Sequence, residues 1–119
     1  MSTELVQLRS FYTAPGFLLL ARRDGAPVGC VGVRVLSPDT GELRRLFVQP
    51  QSRGAGLGLR LLTEATGRSQ SIGWSRLVLN TLPTMTAARS LYDANGYAPI
   101  EPYVAEPVDG VQYLARDLR

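Results

Sequence analysis

The sequence predicts an α/β (α+β) fold in which helices flank a mixed, mostly antiparallel central sheet, with residues 1–119 forming a single domain. Three observations carry this prediction. Apolar runs separated by a hairpin turn fill the first half of the chain. Two amphipathic helical patterns fill much of the second half. A strand, a glycine-rich loop, a helix and a further strand follow one another over 42–80, which predicts a right-handed crossover between parallel strands.

The first half of the chain predicts one short helix and three strands. Asp24-Gly25 lies between two apolar runs and is typical of a two-residue hairpin turn. In chain order, we expect a helix over 3–12, strands over 17–23 and 28–35, a loop over 37–41 and a third strand over 42–48.

The second half predicts two helices between short strands. Apolar residues recur at helical spacing from Leu57 to Ala65, and Asn95-Gly96 is typical of a helix C-terminus. We expect a polar loop over 49–56, a helix from Leu57 to about 71–73, a strand over 76–80, a helix from 83–84 to 95–96, and strands over 97–100 and 111–118.

The composition excludes whole classes of site, because the chain has no histidine, no lysine and a single cysteine. These absences exclude a catalytic histidine pair, an imidazole metal site, a lysine Schiff base and a Walker-type phosphate loop. One cysteine allows neither an internal disulfide nor a thiolate zinc cluster, and we expect no metal. Acid–base chemistry must therefore use Asp, Glu, Tyr, Cys or a terminal amine.

The net charge of +3 is the balance of 13 arginines against 10 acidic residues. The arginines are dispersed and are not interleaved with aromatic residues, so we expect no nucleic-acid partner. The longest apolar run, Phe17 to Ala21, is too short to span a membrane, and the first residues show no signal peptide. The sequence therefore favours a cytoplasmic protein with no membrane partner.

The glycine-rich loop before the first long helix has the features of an anion site. Gly54, Gly56 and Gly58 carry no side chains, so a phosphate can approach the backbone N–H groups at the start of the helix. Arg53 adds a permanent positive charge beside them. Taken alone, the same glycines are equally consistent with a tight turn that binds nothing.

Two wider motifs are more specific. Gln51-x-x-Gly54-x-Gly56 follows a strand ending in Leu46-Phe47-Val48, and this arrangement resembles the acetyl-coenzyme-A loop of the GNAT N-acetyltransferases. Downstream, the segment from Ala88 to Tyr97 is similar to the Ala-x-x-Leu-Tyr-x-x-x-Gly-Phe helix of that family. The resemblance spans residues 17–118 and implies a GNAT-like acyl-CoA N-acyltransferase fold. It also implies an enzyme that transfers the acetyl group of acetyl-CoA (CoA) to a primary amine.

The resemblance implies a coenzyme site between two strands that splay apart, here 42–48 and 76–80. The main chain at the end of the first strand would bind the pantetheine arm, and the loop N–H groups would hold the pyrophosphate, with Arg60 as a further cation near the phosphates. The implied cofactor-binding residues are Leu46, Phe47, Val48, Gln51, Arg53, Gly54, Ala55, Gly56, Leu57 and Gly58.

The resemblance also implies the catalytic residues. Tyr92 matches the family tyrosine near the thioester sulfur, although it also fits an apolar helix face as a packing residue. Glu42 stands where many members carry a glutamate base, although an ion pair with Arg44 is the alternative. The oxyanion would be stabilised by a backbone N–H near Val48. Weaker rivals for the base are Asp39, Glu101 and Glu106.

Four further residues are considered for their position in the chain. Cys30 lies within a strand and is expected to behave as a small hydrophobe rather than a nucleophile. Tyr103 is a candidate wall of the acceptor pocket. Met85 stands where many members have an asparagine that binds pantetheine, and Asn80 would replace that contact only if the chain bends suitably.

The beginning of the chain departs from the family pattern. The family's first strand and first helix are expected to be absent, with residues 3–12 as a remnant of the second helix. Strand 17–23 would then be an uncovered apolar edge, which predicts either a homodimer that covers it or a gene start further upstream. Two alternatives to the acetyltransferase stay open, namely a non-catalytic acyl-CoA-binding module and an arginine-mediated nucleic-acid binder.

Overall fold

The computed structural model describes residues 3–8 and 12–119, and within them it contains one seven-stranded sheet and two α-helices. The strands are β1 (Thr3–Gln7), β2 (Phe17–Arg23), β3 (Ala26–Ser37), β4 (Thr40–Val48), β5 (Arg76–Thr81), β6 (Ala98–Pro99) and β7 (Gln112–Asp117). The helices are α1 (Leu57–Ile72) and α2 (Thr86–Ala94), and a short 3₁₀ helix spans Pro50–Ser52.

The sheet has the strand order β1-β2-β3-β4-β5-β7-β6. Every neighbouring pair is antiparallel except β4 and β5, which are parallel and joined by α1. The predicted mixed, mostly antiparallel sheet is therefore confirmed, and so is the parallel pairing across the crossover.

The helix expected over 3–12 is wrong for the residues that the structure describes. Thr3–Gln7 forms strand β1, which pairs with β2 from Thr3↔Arg23 to Gln7↔Leu19, and residues 9–11 of that prediction lie outside the described residues. A segment this short gains little from helix formation on its own, whereas the backbone of β2 offers it hydrogen-bond partners. Strand 17–23 is consequently not an uncovered edge, which removes the reason given for a homodimer.

Two tight hairpins connect β2, β3 and β4. Asp24 and Gly25 have φ values of 53° and 82°, as the predicted two-residue turn requires. The loop expected over 37–41 is shorter than predicted, because Ser37 pairs with Thr40 and leaves only two residues in the turn. The carboxylate of Asp39 accepts hydrogen bonds from both of these hydroxyl groups at 3.0 Å, which stabilises the turn locally.

The helices end as the sequence predicts, but one begins later. Helix α1 ends at Gly73, which has φ 98° and suits the left-handed conformation of a C-terminal cap. Helix α2 begins at Thr86 rather than at 83–84, because Leu82 to Met85 form a turn closed by a hydrogen bond from Met85 N–H to Leu82 C=O. In the described residues, no helix is both long and apolar enough to cross a membrane.

The hydrophobic core lies between α1 and one face of the sheet. Its fully buried residues come from α1 and from four strands, namely Leu61, Leu62, Ala65, Leu19, Ala21, Val31, Val33, Leu77, Leu79 and Leu114. Val33 and Leu43 pair on this face. Because side chains alternate along a strand, their neighbours Arg34 and Glu42 lie on the opposite face. That second face carries the polar groups of the site.

The parallel strands β4 and β5 separate partway along their length. Their pairing ends at Glu42↔Val78, although β4 continues to Val48 and β5 to Thr81. On the other side of β4, the register with β3 shifts between Cys30 and Gly32 in a bulge. An opening therefore forms between the C-terminal halves of β4 and β5.

We expect Gly41→Ala to destabilise the protein. A Cβ atom at this position would lie 2.6 Å from two ring carbons of Trp74 and 2.9 Å from Cγ1 of Val33. Overpacking of a well-packed core typically costs about 1–3 kcal/mol. The matched control is Gly67→Ala in α1, where a Cβ meets nothing within 4 Å. At this position the change should raise the free energy of unfolding by about 1 kcal/mol, because alanine favours a helix interior more than glycine does. Urea unfolding measures both changes, and equal stability of the two variants would contradict the packing described.

Candidate active site

The opening between β4 and β5 continues into a cavity of ≈ 590 Å³. The end of β4, the glycine-rich loop, the start of α1 and the start of α2 enclose it. Its lining residues are Leu46, Phe47, Val48, Arg53, Gly54, Gly56, Leu57, Gly58, Leu59, Thr84, Met85, Thr86, Ala87, Ala88 and Leu91. The structure thus brings eight of the ten predicted cofactor-binding residues together around one space.

The backbone of the glycine-rich loop takes a form that favours glycine. Gly54 and Gly56 have φ values of 87° and 80°, in the left-handed region where other residues are strained. The first hydrogen bond within α1 joins Arg60 N–H to Gly56 C=O at 3.0 Å, so the N–H groups of Leu57, Gly58 and Leu59 have no acceptor inside the helix. No side chain caps this helix end. The first turn of α1 therefore offers donors and a positive dipole end to an anion in the cavity.

Arg53 lies where β4 meets the loop. Its Nε donates to the carbonyl oxygen of Val48 at 2.9 Å, and its guanidinium carbon lies 5.9 Å from the centre of the Phe47 ring. One of the backbone groups expected to bind pantetheine is therefore already hydrogen-bonded to a side chain in this structure.

Three other residues of the predicted coenzyme site lie elsewhere. Gln51 is exposed and donates to the side chain of Gln49, and neither Gln51 nor Ala55 lines the cavity. The side chain of Arg60 donates to the carbonyl oxygen of Thr3 at 2.8 Å. The expectation that Arg60 faces the phosphates is therefore wrong in this structure, because β1, which the sequence did not predict, engages it.

The start of α2 contributes lining residues that sequence reasoning missed, from Thr84 to Ala87, together with Leu59 of α1. Met85 lines this cavity, and its sulfur accepts a hydrogen bond from the Thr81 hydroxyl at 3.8 Å. The spacing of Ala88 and Leu91 was visible in the sequence and could have placed this face of α2 on the cavity. The turn that brings Thr84 and Met85 there was not visible.

A second cavity of ≈ 250 Å³ adjoins the first at Leu46 and Met85, which line both. The other residues that line it are Leu43, Arg44, Arg45, Asn80, Thr81 and Tyr92. Asn80 and Thr81 come from β5 beyond its pairing with β4, so the same separation of strands opens both spaces. The two cavities form a groove that is largely apolar at the α2 end and more polar between the strands.

Tyr92 lines the smaller cavity while its ring is buried, with 6% of the residue exposed. Burial, with a smaller contribution from the nearby Tyr97, raises the pKa of Tyr92 to about 12. The phenol is therefore protonated at neutral pH and able to donate a hydrogen bond. The gap from a thiol pKa near 8.5 is wider than for an ordinary tyrosine, so complete proton transfer to a thiolate is less favourable than it would be from an ordinary tyrosine.

Glu42 is buried at the point where β4 and β5 separate, with 2% of the residue exposed. Its Oε1 accepts from Arg34 Nε at 2.6 Å and from Arg44 at 3.4 Å, and its Oε2 accepts from the Tyr103 hydroxyl at 2.6 Å. The alternative ion pair with Arg44 is thus present. A carboxylate offers about four lone-pair sites, so three donors leave one for water or a ligand.

Tyr103 reaches Glu42 from the segment between β6 and β7. Its hydroxyl also accepts from Asn80 Nδ2 at 3.3 Å, and its ring packs edge-on against Tyr113 at 5.3 Å. Burial and the hydrogen bond to Glu42 both raise the pKa of Tyr103, so the phenol keeps its proton. Tyr103 is therefore bonded to the candidate base and to a residue that lines the smaller cavity.

The rival carboxylates are not brought to the cavities. Asp39 lies in the β3–β4 turn, where hydrogen bonds from Thr40 and Ser37 lower its pKa, and Glu101 and Glu106 are exposed. Cys30 donates from its sulfur to the carbonyl oxygen of Arg45 at 3.2 Å, and burial raises the pKa of its thiol. Over the described ranges, no cluster of three His, Cys, Asp or Glu residues has metal-binding geometry.

Comparisons with known proteins agree on one family. The family profile described as "Acetyltransferase (GNAT) family" matches residues 2–97. An uncharacterised N-acetyltransferase of Schizosaccharomyces pombe is 36% identical over 113 residues, covering 93% of this chain and 69% of that protein. A protein of Azospirillum brasilense named IAA acetyltransferase is 34% identical, covering 90% of this chain and 72% of that one.

Solved structures share the fold. The crystal structure of a GNAT family acetyltransferase from Elizabethkingia anophelis with acetyl-CoA bound superposes with a TM-score of 0.79, at 17% identity over 97% of each chain. Its sheet and helices are therefore arranged like those described above.

We expect the protein to lose stability as the pH rises from about 10 to about 12. The folded state raises the pKa of Tyr92 to about 12, whereas an unfolded tyrosine ionises near 10. The protonated phenol of Tyr92 makes its full contribution to the free energy of unfolding below pH 10. This contribution is lost as the pH approaches 12, because only the unfolded chain releases the proton in that window. In urea titrations, the free energy of unfolding of Tyr92→Phe should fall less steeply over this range than that of the unmodified protein. As the control, the two plots of this free energy against pH should run parallel at pH 7–9. Equal slopes above pH 10 would contradict the raised pKa.

Proposed function

The chain belongs to the GNAT acetyltransferase family, and on that premise we propose that it transfers the acetyl group of acetyl-CoA to the primary amine of a small acceptor by direct attack within a ternary complex. The observation that carries the proposal is the ≈ 590 Å³ cavity that opens where β4 and β5 separate and that ends at the glycine-rich start of α1. Its apolar groove suits a slender arm, and its N–H donors suit a phosphate.

Within this proposal, the pyrophosphate of acetyl-CoA binds at Gly54 to Gly58, with Arg53 beside it. The unpaired edge of β4 from Leu46 to Val48 binds the pantetheine arm as an added strand would, and the side chains of α2 cover its other side. The relative from Elizabethkingia anophelis, which has the same fold, was solved with acetyl-CoA bound, and this supports the assignment.

The acetyl group would then lie near Leu46 and Met85, where the two cavities meet. The lone pair of the acceptor amine attacks the thioester carbonyl carbon, a C–N bond forms, and the C–S bond breaks with its electron pair on sulfur. A backbone N–H near Val48 would stabilise the oxyanion, as the family resemblance implies. The products are the N-acetylated amine and the thiolate of coenzyme A, which takes a proton from water to give the free thiol.

Two side chains handle the protons in this proposal. Tyr92 donates a hydrogen bond from its neutral phenol to the departing sulfur, which stabilises the developing thiolate. Glu42 receives the proton lost by the amine, either through water at its remaining lone-pair site or through the hydroxyl of Tyr103, which lies 2.6 Å from Oε2. Cys30 takes no part as a nucleophile, because its thiol is neutral and bonded to a backbone carbonyl.

We expect Gly58→Leu to block coenzyme binding without unfolding the chain. A Cβ at Gly58 meets Leu91 at 3.6 Å and Val48 at 4.0 Å, which are ordinary contacts, and a longer side chain would extend into the cavity. The Kd for acetyl-CoA should rise at least about tenfold, or about 1.4 kcal/mol. Isothermal titration calorimetry measures it, with Gly67→Leu on the open side of the same helix as the matched control. Equal affinities in the two variants would place the coenzyme elsewhere.

We expect Tyr92→Phe and Glu42→Gln to lower kcat for amine acetylation by about 10²-fold or more, as typical of a lost hydrogen-bond donor to developing charge and of a lost general base. The Kd for acetyl-CoA should stay within about threefold, because neither residue lines the larger cavity. Release of the coenzyme thiol against a panel of amines measures kcat. Asp39→Asn, in the β3–β4 turn outside both cavities, is the control and should retain activity. Unchanged turnover in Tyr92→Phe would remove its assigned role.

The same assay separates the enzyme from a non-catalytic acyl-CoA-binding module. An enzyme releases the coenzyme thiol faster when an amine is present. A binding module binds acetyl-CoA in calorimetry, but no amine increases its release of thiol. Hydrolysis without amine, measured in parallel, is the background for both.

A further inference from the structure

Two arginines and no carboxylate are among the residues that line the smaller cavity. Arg44 and Arg45 line it, and Arg34 reaches Glu42 at its edge from β3. Among the described residues, Glu42 is the only acidic group in an ion pair with any of these three arginines. The arginines at and beside this space of ≈ 250 Å³ therefore outnumber the carboxylate that pairs with them.

The backbone brings two successive arginines to this cavity. In a regular strand, neighbouring side chains point to opposite faces, so only one of two consecutive residues would line a cavity on one face. In β4, Arg44 pairs with Gly32 while Phe47 pairs with Cys30, which leaves Arg45 and Leu46 opposite the single residue between them. Arg45 has φ 56°, an uncommon conformation for a residue with a side chain. This bulge breaks the alternation.

The guanidinium groups of Arg44 and Arg45 retain free donors. Arg44 reaches Glu42 only at 3.4 Å, while the shorter bonds to that carboxylate come from Arg34 and Tyr103 at 2.6 Å each. Arg45 forms no ion pair with a described residue. The exposed acidic side chains between β6 and β7 do not pair with either arginine, although Tyr103 of the same segment reaches the site.

We propose that the acceptor amine also carries a carboxylate, as an amino acid does, and that Arg44 and Arg45 bind it. This inference rests on the proposed function, because the cavity also holds Tyr92 beside the expected acetyl group. A planar carboxylate fits the two-pronged donor geometry of a guanidinium group. The cavity is smaller than the about 300–1,000 Å³ of drug-sized ligand sites, so the acceptor is small. Asn80 and Thr81 supply polar contacts on the opposite wall.

The test compares amino acids with the amines that have the same side chain but lack the carboxylate. In the unmodified protein, kcat/KM should favour the amino acid of each pair by about 10- to 100-fold, the effect of one or two charge-assisted hydrogen bonds. Aminoalkylphosphonates form a third arm. Preference for them over the matching amino acids would overturn the carboxylate assignment.

Arg44→Gln and Arg45→Gln should each reduce this preference by about tenfold. The amino acid and the matching amine are acetylated by the same chemistry. A loss of activity that arises because the substitution disturbs Glu42 therefore lowers kcat/KM for both, and it cancels when the two values are divided. Arg119→Gln removes an equal charge at the other end of β5, where Arg119 donates to the carbonyl oxygen of Gly73, and should keep the full preference. If these variants bind acetyl-CoA more weakly, and this weaker binding accounts for the lost preference for amino acids, then the arginines bind the coenzyme. That result would overturn the proposal.

The outcomes separate this inference from the function on which it rests. Equal kcat/KM for amino acids and matching amines would overturn the inference while leaving the acetyltransferase intact. If no amine is acetylated, the proposed function fails, and calorimetry of N-acetyl amino acids against the CoA-loaded protein decides the inference. Binding that weakens in Arg44→Gln and Arg45→Gln supports it, and no binding overturns it.

Discussion

The separation of β4 and β5 beyond Glu42 and Val78 is the constraint on which the rest of the site depends. Backbone groups of a central strand normally pair on both sides, and they pay a desolvation cost when they are left without partners in an apolar environment. Here β4 remains paired with β3 up to Val48, so only its edge toward β5 is open. That edge, the glycine-rich loop and α2 surround a groove in which the backbone of β4 has no partner strand, although the Val48 carbonyl accepts a hydrogen bond from Arg53.

The point of separation needs its own stabilisation because it holds a buried carboxylate. A charge removed from water is tolerated when it is paired and hydrogen-bonded. Arg34 from β3, Arg44 from β4 and Tyr103 from the segment before β7 all supply donors to Glu42, so three separate parts of the chain meet at this residue. The group that these contacts hold in place is also the proposed base, and one of its partners, Arg44, lines the proposed acceptor pocket. Packing and chemistry therefore depend on the same contacts.

Prediction from the sequence succeeded where a local pattern is sufficient. The Asp24-Gly25 turn, the apolar face of α1 and the end of α2 at Asn95 follow from backbone preferences and periodicity, and the structure has all three. The prediction was wrong at Thr3–Gln7. So short a segment forms a strand only when another strand offers it an edge with free hydrogen-bonding groups, and here β2 offers that edge. The same missing strand led to the wrong expectations for Arg60 and for an exposed strand 17–23.

The sequence by itself determined the order of the elements from β2 onward and the glycine-rich start of α1, because these depend on residue types at fixed spacing. Its resemblance to the GNAT family supplied the candidates Tyr92 and Glu42. Only the tertiary structure decided which side chains meet. Tyr103 reaches Glu42 across 61 positions of the chain, and the bulge at Arg45 places two consecutive arginines on one cavity. Neither contact has a local sequence signal, because one joins residues far apart in the chain and the other arises from a bulge in the register of β3 and β4.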